Sequence, residues 1–262
     1  MSGTASAPTV SGLNRLLGSP VAGMAPWIVF SLLAGPGRFE IAVALALACS
    51  LALVLGGRLV GRGGSWKLLE LSDLAFFSGM AVLGALADDS TLRWLETYAG
   101  EVSNIALVLI AFGSMAAGAP FTLPYARERV DPAHWGTPAF LRANQVVTGV
   151  WGAAFLVAAI SGGYGILVLH NPNNLWTGWI IQALAIVAAA RFTEWYPEAV
   201  RARARRDSGR PGAGPPPLSA LLLPLAGLLI PAGIAVLVLD SVWWLGVLLI
   251  MAGTLLTTAL RT

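Results

Sequence analysis

Charge is what this chain has least of. Of its 262 residues only 11% are Asp, Glu, Lys or Arg, where a soluble domain carries about 25%, and 56% are hydrophobic. That shortage excludes an ordinary water-soluble globular domain and makes lipid the expected solvent. Cysteine is nearly absent as well. The one thiol, Cys49, lies inside an apolar run, so no internal disulfide, thiolate metal cluster or CxxC redox pair can form. No GxSxG, HExxH or SxxK motif appears in context, and the glycine-rich GRGGS at Gly61–Ser65 lacks the GK[ST] ending of a phosphate loop. No catalytic residue and no cofactor is expected. Residues 1–19 lack the basic start and apolar stretch of a secretory leader and read as a disordered cytosolic tail.

What the chain does have is long apolar runs. A hydrocarbon core about 30 Å thick takes close to 20 apolar residues per helix. Eight runs qualify as candidates, near 20–35, 39–57, 69–87, 102–119, 144–169, 175–193, 218–239 and 242–260, the last two flanking a turn at Asp240 and Ser241. The first, VAGMAPWIVFSLLAG, is the least regular because Pro26 interrupts it. Backbone groups in hydrocarbon need internal partners, and the runs lack the alternation of a barrel, so each span is expected to be helical. The expected class is an all-α polytopic membrane protein with about eight transmembrane helices.

The arginines orient it. With eight spans and the N-terminus inside, Arg15, Arg58, Arg62, Lys67, Arg127, Arg129, Arg142, Arg191, Arg201, Arg203, Arg205, Arg206, Arg210 and Arg261 fall on the cytoplasmic side. Arg38 and Arg93 are left for the other side, the asymmetry of the positive-inside rule. Both termini are then cytoplasmic. The net charge of +3 and pI near 9.5 reflect this loop bias, which argues against nucleic acid as a partner. His134 and His170, the only histidines, fall on opposite faces and cannot share one metal ion, so no metal site is expected.

Four segments follow: the tail 1–19, a six-helix body 20–193, a basic juxtamembrane segment with a Gly/Pro-rich linker 194–217, and a two-helix hairpin 218–262. In the stretch PFTLPYARERVDPAHW, Arg127 and Arg129 resist translocation and can reach anionic headgroups, while Pro120 and Pro124 help end the fourth helix. Arg201, Arg203, Arg205 and Arg206 sit on a helical extension of the sixth span and either bind anionic lipid or simply orient the chain. In the outer loop ADDSTLRWLETYAGEVSN the middle, TLRWLETYAG, reads as a helix lying in the interface, and its acids Asp88, Asp89, Glu96 and Glu101 make either a solvated outer loop or a cation funnel. Most tryptophans, Trp27 and Trp151 among them, fall near helix ends and read as an aromatic belt.

Ionisable groups within spans are the default functional candidates in a membrane. Glu70 and Asp73, at i and i+3 near the start of the third span, face one way and can bind a proton or cation, or pair with Arg58, Arg62 or Lys67. Asn104, Asn144, Gln145 and Gln182 either line a solute path or join helices by hydrogen bonds.

The order of features, APWIVFSLL, an alanine-rich second helix, a basic loop, then DDSTLRWLETYAGEVSNIAL and later GTPAFLRANQVVTGVWGAAF, resembles the bacterial intracellular septation protein A family over residues 20–165. The chain lacks that family's lysine-proline-threonine element and adds the final hairpin. The resemblance implies a bacterial inner-membrane protein acting in envelope integrity or division, through contacts with lipid, other membrane proteins or itself. A second reading from the residues is a small-solute or proton-coupled transporter or channel with Glu70 and Asp73 near its path. A third is an integral membrane enzyme acting on lipid.

Overall fold

A stretch as apolar as FEIAVALALACSLALVL has one low-energy backbone in lipid, and the chain adopts it repeatedly. A computed structural model describes residues 19–59, 67–209, 214–239 and 242–261. Among these there are helices and no strand. The helices are α1 Pro20–Gly23, α2 Ala25–Leu33, α3 Phe39–Leu59, α4 Leu68–Leu86, α5 Asp89–Ala116, α6 Leu123–Arg127, α7 Pro138–Leu167, α8 Ile181–Asp207, α9 Leu218–Leu239 and α10 Trp243–Ala259. A π-helical turn, Trp176–Ile180, leads into α8. The tail to residue 18 with Arg15, the GRGGS stretch with Arg62, linker residues 210–213 with Arg210, and the turn at Asp240 and Ser241 lie outside the described residues.

Six of these helices are long and apolar enough to cross a membrane: Phe39–Arg58, Leu68–Leu86, Asp89–Ala116, Pro138–Leu167, Trp176–Asp207 and Leu218–Leu239. The chain is an all-α, multi-pass membrane protein. The other two runs in the count of eight are shorter. Trp243–Ala259 has 17 residues, and the first run is broken at Met24 into pieces of 4 and 9 residues. The break follows from Pro26, which has no N–H to give to a preceding turn. At about 1.5 Å per residue the two pieces together extend only about 20 Å.

One element differs from expectation. The acidic stretch before the fourth span is not a separate helix in the interface: α5 runs unbroken through it for 28 residues. Asp88 starts it, accepting from the backbone N–H of Thr91 at 2.8 Å and from the Ser90 hydroxyl at 3.0 Å. These bonds, those from Thr91 foremost, hold the Asp88 carboxyl below its usual range. At its other end Gly118, at φ +71°, reverses the chain in a conformation that costs a glycine nothing.

The helices fall into two compact units, one of residues 1–96 with 122–132, the other of 97–121 with 133–262. In the first, α2, α3 and α4 pack in sequence order around fully buried Phe30, Phe39 and Phe77. Two tryptophans expected at an aromatic belt are core residues: Trp27 lies 3% exposed in the first unit and Trp151 1% exposed in the second. Each indole N–H has found an internal acceptor, Trp151 donating to Thr193 Oγ1 at 2.9 Å.

In the second unit α7 packs on α8, and α9 on α8 and α10. Glycines set the closest approach. A Cβ on Gly233 would stand 2.6 Å from the Gly246 carbonyl oxygen, and one on Gly246 would stand 2.7 Å from that of Gly233. Small residues allow such backbone contact where lipid offers no hydrophobic drive to associate. Outward, Leu109, Ile160, Val238 and Leu255 are all largely exposed, as side chains solvated by acyl chains should be.

Candidate functional site

Six polar or ionisable side chains of the first unit come from three separate stretches of chain. Lys67 precedes α4 with an extended backbone, which places Glu70 in the first helical turn, where the helix dipole favours an acid. Asp73 follows one turn later on the same side. Its side chain is fully buried, and Trp27 Nε1 on α2 donates to Oδ1 at 2.6 Å. The Trp27 indole is in turn fixed by Phe76 and Phe77, with ring centroids 4.7 and 5.1 Å away. Asp73 Oδ2 has no hydrogen-bond partner among the described residues.

Lys67 is the chain's one lysine and is 5% exposed. Its Nζ lies 3.4 Å from Glu70 Oε1, 3.1 Å from Glu128 Oε1, and 4.7 Å from the Tyr125 ring centroid. A buried ammonium costs several kcal/mol unless its environment replaces water. Two carboxylates and an aromatic face do so here. Glu70 and Glu128 remain partly open, with side chains 15% and 21% exposed.

Tyr125, on α6, is buried, and its hydroxyl also lacks a hydrogen-bond partner among the described residues. It rests against Gly23, where any added Cβ would collide with it. Burial first, then the negative charges of Glu70, Asp73 and Glu128, push the Tyr125 phenol well above its ordinary range. It therefore stays protonated and keeps a hydrogen to donate. Two acids on one base, with two open polar valences at Asp73 and Tyr125, make a set suited to a proton, a water or a cationic group.

Of the two acids expected on α4, Glu70 meets Lys67 and Asp73, one turn along, meets Trp27. The second unit joins two other candidates: Asn104 Nδ2 donates to Gln182 Oε1 at 3.3 Å. Asn144 is buried and donates to the Phe140 carbonyl one turn back at 2.8 Å, while Gln145 is exposed. Arg127 ends α6 and Arg129 follows it, both exposed, and Arg201, Arg203, Arg205 and Arg206 are exposed along the end of α8, where Ala199 and Ala202 are buried.

Lys67 was among the partners expected for Glu70 and Asp73, and it pairs with Glu70, while Tyr125, Glu128 and Trp27 are site residues that sequence reasoning missed. Tyr125 and Glu128 stand at i and i+3 within the loop read as a topological anchor, the only hint that one face of it turns inward. No protein-family model, curated protein or solved structure matches the chain.

Proposed function

We propose that this multi-pass membrane protein is a proton-coupled transporter of a small solute, with Asp73 as the proton-binding group. The observation that carries the reading is the fully buried Asp73 carboxyl, held at one oxygen by Trp27 and open at the other. A carboxyl placed so is costly in a membrane protein and is kept where its change of charge is used. Lys67 is engaged with Glu70 and Glu128, which leaves Asp73 to change its own charge. Tyr125 presents a hydroxyl that can follow that change.

The test is flux. Reconstituted in liposomes with an internal pH indicator, the wild-type chain should pass protons when a matching solute gradient is imposed, and Asp73→Asn should pass none. Equal flux in the two proteins removes Asp73 from the mechanism.

A second reading, an envelope protein that works by contact with anionic lipid, is favoured by the exposed arginines 201, 203, 205 and 206 along α8. Each such residue near an anionic surface contributes about 1 kcal/mol. Replacing all four by glutamine and finding undiminished retention of anionic lipid by the purified protein would count against it.

A further inference from the structure

The second unit holds a polar constellation of its own within its spans. Glu101 and Asn104 are one turn apart on α5, and Gln182 stands in the first turn of α8. The Glu101 carboxylate fits a slot left by Gly162 on α7, which any Cβ at that position would fill. Just before Gln182 the chain is π-helical, and the backbone N–H of Ile181 reaches back five residues to the Trp176 carbonyl. Such turns redirect the residues that follow, and they recur at functional sites.

The redirection has a local result. Gln182 Nε2 donates to the Thr177 carbonyl oxygen at 3.0 Å, and the Ser161 hydroxyl donates to the same oxygen at 2.9 Å. Gln182 therefore cannot turn its amide over without setting two oxygens face to face, so Oε1 is held toward Asn104. The Asn104 Nδ2 lies 3.3 Å from Gln182 Oε1 and 3.5 Å from Glu101 Oε2. Both are long beside the usual N–H···O distance of about 2.9–3.0 Å.

Asn104 is free of the restraint that holds Gln182. Half a turn of its amide exchanges Nδ2 for Oδ1 in nearly the same place. Three oxygens from three side chains then converge at separations of 3.3 and 3.5 Å. Ligand oxygens at right angles around an ion, with bonds of about 2.4 Å, stand about 3.4 Å apart. The set carries one carboxylate, which neutralises one unit of positive charge; a divalent ion would leave a net charge in a low-dielectric surround.

We propose that Glu101, Asn104 and Gln182 form a binding site for a dehydrated monovalent cation of the size of Na⁺. The site goes beyond the proton reading of Asp73 and stands without it. Glu101 neutralises the ion, Gln182 presents a fixed amide oxygen, and Asn104 switches from donor when the site is empty to ligand when it is filled.

The test uses the purified full-length chain in detergent, with ²²Na⁺ equilibrium binding beside thermal unfolding in NaCl, KCl and choline chloride at one ionic strength. The expected result is saturable binding of one Na⁺ per chain and a rise in Tm with Na⁺ that choline does not produce. Glu101→Gln and Gln182→Leu should each weaken the apparent Na⁺ affinity at least tenfold, and Gly227→Ala, at a position with no neighbour for its new Cβ, should not. Absence of ²²Na⁺ binding by the wild-type chain overturns the proposal, a result that needs no variant to fold. So does an equal Tm rise in all three salts, undiminished affinity in both variants, or displacement of ²²Na⁺ by an equal concentration of Ca²⁺.

Discussion

Trp27 and Asp73, 46 residues apart in the chain, are joined by an indole N–H that reaches a carboxylate oxygen at 2.6 Å between two buried surfaces. The bond ties α2 to α4, and it fixes which oxygen of Asp73 is left open.

Removing the donor should be felt in stability. Trp27→Phe keeps an aromatic ring but leaves Asp73 Oδ1 buried without its partner, a loss of about 1–3 kcal/mol. Denaturant unfolding in mild detergent measures it. A double-mutant cycle with Asp73→Ala, which removes the acceptor, should return a coupling of about 0.5–3 kcal/mol, and strict additivity would mean the bond contributes nothing.

Lys67 should be harder to replace than either acid it meets. Lys67→Met strands Glu70 and Glu128 beside each other, and destabilisation below the roughly 3–5 kcal/mol of a fully buried pair is expected because both acids are partly open. Lys67→Met combined with Glu70→Gln and Glu128→Gln should recover part of the loss. A triple variant less stable than Lys67→Met alone contradicts this.

The hairpin of α9 and α10 should not accept side chains where it is closest. Gly233→Val and Gly246→Val each push a Cβ into the facing backbone and should cost at least about 1–3 kcal/mol through overpacking. Gly227→Ala, with open space around its Cβ, should gain up to about 1 kcal/mol from lower chain entropy. Comparable Tm values for the three variants would show that the glycine contact is immaterial.

Acid should loosen the start of α5 through Asp88. Its carboxyl titrates lower in the folded chain than when unfolded, because Thr91 and Ser90 donate to its charged form. The stabilisation is therefore complete above the unfolded value near 3.8 and is lost as pH falls through the lower folded value. Amide exchange at Thr91 and Leu92, corrected for intrinsic rates, should quicken across that window in the wild-type chain and not in Asp88→Asn.

Helix α4 shows how far the residues speak for themselves. LLELSDLAFF announces a helix with two acids on one side, and it is one. The pairing of Glu70 with Lys67, three residues apart, is local, but the burial of Asp73 and the bridge from Lys67 to Glu128 depend on what α2 and the end of α6 bring to that side. Trp27 was legible only as an aromatic near a helix end, the usual interfacial position, until α2 turned it inward on Asp73. Tyr125 and Glu128 lie in a loop whose arginines dominate its reading, and a short helix points the other two side chains away from them. At the second site Asn104 and Gln182 were visible one by one. Nothing in either local pattern announces a hydrogen bond across 78 residues.

By itself the sequence determined the solvent and the secondary structure. Apolar runs with so few charges leave the backbone no partners but its own carbonyls, and helices are the result wherever the runs fall. Tertiary structure alone decided which polar groups share a site, because a side chain's position along one helix says nothing about which neighbour presses against it. That choice was made by packing, with Gly23 admitting the Tyr125 hydroxyl and Gly162 admitting the Glu101 carboxylate.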